Sequence, residues 1–301
     1  MDDFFSPEDL HWLLRTFLYL ACGLSLFFFG KILFGQIHRK INISDELVQK
    51  DNVAFSIAYV GYFIGVLLAV GGTIVGTSYG LTTDMINIAV FGVLTICLLN
   101  ASSWVNDKFI LHQFSVAKEI IEDRNAGTGV IEAANYIASG LVIYGAVSGQ
   151  SPDFFPESNY GIFLSGILSV IIFWAIGQVL MLLTTKIYSL LLPYDVHYEI
   201  ERDNVAAGIG FAGAMIALAI LISYGITGDF EGWGSTIAEI AIDVSLGIVM
   251  LPLMRWIADE VLLPGEKLTD EIINQKVPNI GAAFVEAFAY IGSAVLIVWC
   301  M

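Results

Sequence analysis

Four carboxylates stand inside stretches that are otherwise apolar enough for a lipid bilayer: Glu132, Glu239, Asp243 and Glu286. An ionised carboxylate near mid-bilayer costs about 2.5–3.5 kcal/mol on insertion scales, so such residues pair, line water or carry function. Glu239 and Asp243 are four residues apart and share one helix face, where two acids would offer a cation or proton a route along the helix. Glu132 and Glu286 each fall about one turn into an apolar stretch. If those two faced each other they would share a proton or hold a cation between them. These four are the candidates for a cation or proton pathway. Each also has a plainer reading. Asn125 before Gly127 and Asn279 before Gly281 read as helix N-caps, which places Glu132 and Glu286 near a positive helix end that favours a carboxylate. Glu239 could snorkel to the interface, with Asp243 neutral and hydrogen-bonded to a neighbouring helix.

Other chemistry has no foothold in the sequence. The cysteines Cys22, Cys97 and Cys300 lie in apolar runs with no metal or redox spacing. His11, His38, His112 and His197 share no helical spacing, so no metal site is expected. No phosphate loop, dinucleotide fingerprint or zinc-protease motif occurs. Neither an enzyme nor a cofactor is therefore expected. With 13 bases against 29 acids and no basic block, nucleic acid is excluded as a partner.

The elements that must position the acids follow from composition. Of 301 residues 57% are hydrophobic and only 14% charged, with a mean hydropathy of +0.77. Soluble domains average about 25% charged residues, so this chain is read as a polytopic all-α membrane protein in contact with the lipid bilayer. A crossing helix needs about 20 mostly apolar residues. Eight stretches qualify, at 11–37, 53–76, 84–106, 128–148, 160–188, 205–227, 235–257 and 279–300. All the bases but Arg15 fall in or beside alternate connections, and basic residues in short loops mark the cytoplasm. Both termini are therefore expected outside. The exterior acids are Asp2, Asp3, Glu8, Asp9, Asp84, Asp153, Glu157, Asp229 and Glu231, faced by Arg15 alone.

The eight spans are two copies of four. Asp51-Asn52-Val53-Ala54 recurs as Asp203-Asn204-Val205-Ala206, and at the same shift Trp104 meets Trp256 and Asp107 meets Asp259. Two extra residues later, Asn125 meets Asn279, Gly127 meets Gly281 and Glu132 meets Glu286. Residues 1–150 and 151–301 are thus tandem four-helix repeats. An even number of spans makes the copies parallel, and the simplest architecture is a fused dimer about a pseudo-two-fold axis along the membrane normal. Gly61 with Gly65, and Ala206 with Gly210 and Ala214, form small-residue stripes that would pack helices either between the copies or within one. Glu239 and Asp243 meet Asn87 and Phe91 in the first copy, so that pair of acids breaks the repeat. Asp51-Asn52 and Asp203-Asn204 read as N-caps. Trp104 and Trp256 read as interface anchors, with Asp107 and Asp259 closing the ends of their spans.

Several pieces carry a family resemblance: Tyr194-Asp195 before Asp203-Asn204-Val205-Ala206, then Trp104-Val105-Asn106-Asp107-Lys108, and Glu122-Asp123-Arg124-Asn125-Ala126-Gly127 running into Val130-Ile131-Glu132-Ala133. The chain resembles the domain of unknown function 350 family of bacterial inner-membrane proteins (YjfL-type, UPF0719), in a tandem form, over nearly its whole length. That resemblance implies a plasma-membrane location and supplies no activity. The second copy departs from the pattern where Ala258 replaces the Asn and Asn274-Gln275-Lys276 replaces the acidic–basic run.

Two functions remain in view. One is a channel or transporter for protons or small monovalent cations that uses the intramembrane acids. The other is a non-transporting scaffold in envelope maintenance that recruits a cytoplasmic protein through the 107–127 loop. Assembly into homo-oligomers is compatible with either.

Overall fold

The computed structural model describes residues 7–76, 78–110, 115–155, 158–228, 230–263 and 265–301. Asp2, Asp3, Glu157, Asp229, His112 and residues 111–114 of the 107–127 loop lie outside them. Eight helices are long and apolar enough to cross a membrane: α1 (Pro7–Ile37), α2 (Val53–Ile74), α3 (Leu81–Phe109), α4 (Ala126–Ser148), α5 (Asn159–Leu191), α6 (Val205–Thr227), α7 (Trp233–Ile257) and α8 (Ile280–Cys300). Among the described residues there is no strand. The chain is a multi-pass all-α membrane protein built of two tandem four-helix repeats. One end of the bundle carries the base-rich connections and the other the base-poor ones.

The helices lie in two layers. The even-numbered helices pack in the order α2, α4, α6, α8, while α1, α3, α5 and α7 follow in the same order alongside them. Because successive helices reverse direction, the four even helices run parallel. Small residues bring their backbones close. A Cβ on Gly61 of α2 would overlap the backbone of Ala133 on α4, and one on Gly213 of α6 would overlap Ala287 on α8. The expected small-residue stripes thus pack helices within each copy. The seam between copies is α4 against α6, where a Cβ on Gly208 would come within 2.8 Å of the Gly127 carbonyl and one on Gly145 within 2.5 Å of the Ser223 carbonyl.

That seam has a direction. A two-fold axis would pair α4 with α6 and equally α8 with α2, yet α8 and α2 make no comparable contact among the described residues. The copies meet head to tail, by stepping along one row, instead of around the expected two-fold axis. The reason is visible in side-chain size. The α6 face that meets α4 includes Gly208, Ala212, Ala219 and Ser223, whereas the corresponding α2 positions are Ser56, Val60, Leu67 and Gly71.

Each even helix starts with one device, used four times. Asn52, Asn125, Asn204 and Asn279 are the N-caps, each accepting a backbone N–H through its side-chain oxygen. The backbone N–H of each donates back to a glutamate carbonyl, that of Glu46, Glu119, Glu199 or Glu271, and each amide Nδ2 donates to the same glutamate's carboxylate. Three of these amides also reach the next unit in the row: Asn52 donates to the Ile120 carbonyl at 2.9 Å, Asn125 to Ile200 at 2.7 Å and Asn204 to Ile272 at 2.9 Å. In the first three units the residue before the Asn is left-handed, with φ of 47° at Asp51, 55° at Arg124 and 61° at Asp203. Asp, like Asn, tolerates that region through local hydrogen bonding. Burial works against the Glu46 carboxylate, but hydrogen bonds from Lys50 and Asn52 outweigh it and hold the group below the usual carboxylate range.

Candidate functional site

In the first copy α3 and α4 press a polar cluster together near the base-rich end. From α3 come Ser103, Asn106 and Asp107, and from α4 come Glu132, Asn135, Tyr136 and Ser139. Ser103 Oγ donates to Glu132 Oε1 at 3.2 Å, and Asn135 Nδ2 donates to Glu132 Oε2 at 3.2 Å. Asn106 Nδ2 donates to Asn135 Oδ1 and, at 3.3 Å, to Ser139 Oγ. The Asp107 and Glu132 carboxyl groups lie within hydrogen-bonding reach of each other, with the Tyr136 hydroxyl in reach of Glu132. No Lys or Arg forms an ion pair with either acid among the described residues. Asn106 Oδ1 and Asp107 Oδ1 are buried and accept from no donor. Asp107, Glu132 and Tyr136 border a cavity of about 80 Å³, shared with His38 and apolar side chains, polar enough on one wall to hold water.

The second copy has the same backbone and different chemistry. At the repeat shift Ser103 becomes Arg255, Asn106 becomes Ala258 and Asn135 becomes Ala289, while Asp107, Glu132, Tyr136 and Ser139 recur as Asp259, Glu286, Tyr290 and Ser293. Glu286 is fully buried and paired with Arg255 Nη1. Tyr290 donates to Glu286 Oε1 at 2.9 Å and receives a bond from Tyr188 at 2.9 Å. Arg255 Nη2 donates to Thr269 Oγ1 at 3.1 Å, and the guanidinium lies over the Tyr194 ring. Asp259 Oδ1 accepts from the Leu268 backbone N–H at 2.7 Å. The Glu286 charge is thus matched inside the protein by Arg255, although its Oε2 is buried without a donor.

Glu132 and Glu286 therefore do not come together. Each turns into its own copy, toward α3 or α7. Asp243 is buried against Gly225 of α6, while Glu239 is exposed; Asp243 lies about 18 Å along α7 from Arg255, at 1.5 Å per residue. Trp104 and Trp256 are both exposed, and the Lys108 ammonium sits 5.1 Å from the Trp104 ring. Gly127 is at the seam, facing Asn204 and Val205 of the next helix start. Its repeat mate Gly281 meets nothing beyond the cap of its own helix. Within the 107–127 loop, Glu119 and Asn125 turn inward and bond to each other at 3.2 Å.

At the base-poor end a cavity of about 680 Å³ opens between α3, α4 and α5, lined by Asn87, Phe91, Ser151, Phe163 and Ser169 among others. Below it, Trp174 of α5 donates to Ser102 Oγ at 2.8 Å. One turn further on, Gln178 is buried with neither amide atom partnered. Since α3 and α5 run in the same direction, the Trp174–Ser102 contact brings Gln178 level with Asn106 at the top of the acidic cluster. Ser102, Trp174 and Gln178 thus lie at depths between the cavity and the acids.

Reading the sequence picked out Glu132 but assigned Asp107 to span closure, took Ser103 for an ordinary interhelical hydrogen-bonding group and did not set it against Arg255 at the same repeat position. The signal was there: a serine and an arginine at one repeat position, beside the same glutamate.

Comparison with known proteins agrees with this architecture. A curated relative, the UPF0719 transmembrane protein of Aquifex aeolicus (strain VF5), is 23% identical over 269 residues, covering 88% of this chain and 92% of its own. No solved structure matches. The model of the domain of unknown function DUF350 matches twice, over residues 9–147 and 162–301, and the chain belongs to that family, in a two-copy form.

Proposed function

We propose that this protein is a pathway for protons or small monovalent cations across the bacterial plasma membrane, with its base-rich end in the cytoplasm and both termini outside. The observation that carries the reading is the Asp107–Glu132 pair, two adjoining acids inside the bundle that no Lys or Arg among the described residues pairs with. A structural role would call for a counter-charge, as Glu286 has, because an uncompensated buried charge costs several kcal/mol. The outer cavity and the polar residues between it and the acids supply an approach from the exterior, and the small cavity beside Asp107 supplies an exit. The base-poor exterior would draw cations toward that entrance, an effect that salt screens.

In liposomes the protein should conduct protons, Na⁺ or K⁺ above empty vesicles, and Glu132→Gln and Asp107→Asn should each cut the flux at least tenfold. Asp243→Asn, away from the cluster, should leave most of it. Absence of flux for all three ions, or flux indifferent to both cluster variants, would overturn the reading.

A further inference from the structure

The two copies are each other's comparison structure. In both, a carboxylate on the last helix of the unit (Glu132, Glu286) takes a hydrogen bond through Oε1 from the residue one repeat position defines, Ser103 or Arg255. In both, a second acid follows four residues after it (Asp107, Asp259) and a tyrosine follows the glutamate by four (Tyr136, Tyr290). Besides Asn106 and Asn135 giving way to Ala258 and Ala289, the difference is one positive charge. The second copy supplies it as a guanidinium tethered by its own backbone. In the first copy Ser103 is too short to fill that place and carries no charge, and two oxygens nearby, Asn106 Oδ1 and Asp107 Oδ1, are buried without donors. Asn106 is itself 1% exposed.

Among the described residues nothing else at the first-copy site makes up the deficit. The titratable groups that face it are His38 after α1, Asp107 from α3, and Glu132 and Tyr136 from α4; the α2 residues and the Val116–Ile121 turn that line the cavity are apolar. Burial pushes the His38 imidazole down, against a weaker upward pull from the Phe34 carbonyl, which disfavours its charged form. Lys118 is drawn away to Asp123 and Lys50 to Asp45 and Glu46.

We infer that the space beside Ser103, between Asp107 and Glu132, seats one exchangeable monovalent cation, and that Arg255 is its built-in replacement in the second copy. The inference rests on reading the first copy as the working site of the proposed pathway. It goes further in fixing the ligand's charge, its number and its place. The occupant is a single alkali cation or a single proton shared by the two carboxyls. An oxygen-only set of donors suits either. The second copy is then a permanently occupied duplicate that binds nothing.

The test is equilibrium binding to the purified full-length protein in detergent, with ²²Na⁺ as the metal probe (and unlabelled Li⁺ and K⁺ as competitors) and proton uptake in weakly buffered solution as the other. Wild type should bind one monovalent charge per chain that is lost in Ser103→Arg. The variant Arg255→Ser should gain a second. Sodium binding that follows this pattern identifies an alkali ion; proton uptake that follows it, with no sodium bound, identifies the shared proton. If Ser103→Arg fails to fold, Arg255→Ser alone decides, by a stoichiometry of two against one. Stoichiometry unchanged in the folded variants by both probes would overturn the inference. Because no membrane potential or gradient is involved, binding without flux would sink the pathway and leave the seat, while flux untouched by Ser103→Arg would sink the seat alone.

Discussion

Arg255 shows what a buried acid in this bundle demands. Glu286 is wholly enclosed, and its charge is tolerable because the guanidinium arrives from the adjacent helix and Tyr290 adds a second hydrogen bond to the same oxygen. Removing one partner of such a pair leaves an uncompensated charge and costs about 3–5 kcal/mol, whereas removing both is far milder. Arg255→Met should therefore lower the unfolding temperature in detergent sharply, and Arg255→Met with Glu286→Gln should recover most of the loss. A single variant as stable as wild type would contradict the pairing. The equivalence of Glu132 and Glu286 was legible from repeat spacing alone. Their different fates were not, because the deciding residues sit on the neighbouring helix, about 30 positions away in sequence. Polarity along α4 also misled: Asn125 does cap the helix, yet Glu132 turns sideways into Asp107 instead of toward water.

At the scale of elements, the span boundaries were plain because apolar length dictates them, and the two-residue caps were plain because Asn before an apolar run has few other uses. The glutamate that each cap holds was hidden. The glutamate partner precedes the Asn by six, six, five and eight residues, so no fixed spacing betrays the motif, and the residue before it is a left-handed Asp, Arg or Asp in the first three units but Pro278, whose ring forbids that conformation, in the fourth. Only three caps also bond the next unit. Replacing Asn52, Asn125 or Asn204 by Ala should each cost about 1–2 kcal/mol, the upper range for a lost cap. Asn279→Ala should cost roughly half as much, since a cap alone sits at the lower end. Thermal unfolding of the four variants side by side checks the ranking; an equal loss at all four positions would mean that the bonds between units contribute nothing.

For the molecule as a whole, the repeat announced two copies but its symmetry misdirected the expectation of how they meet. Parallel repeats can close about an axis or step along a row, and sequence spacing is blind to the difference. Side-chain size decides it. The seam is lined by Gly127, Gly145, Gly208 and Ser223, whereas the matching α8 and α2 faces carry Phe284, Phe288, Trp299, Val60 and Leu67, all exposed. Bulky apolar ends cap the row and face lipid, as terminal units do in other repeat architectures. Across the same boundary Trp174 of α5, in the second copy, donates to Ser102 of the first. Splitting the chain tests this directly. Segments 1–152 and 153–301, expressed together, should co-purify through α4 and α6. Gly145→Leu or Gly208→Leu should separate them, because the added side chain has only backbone to displace, while Phe288→Ala and Leu67→Ala on the lipid faces should not. A two-fold arrangement requires equal sensitivity on α2 and α8, so separation by Phe288→Ala or Leu67→Ala would refute the stepped row.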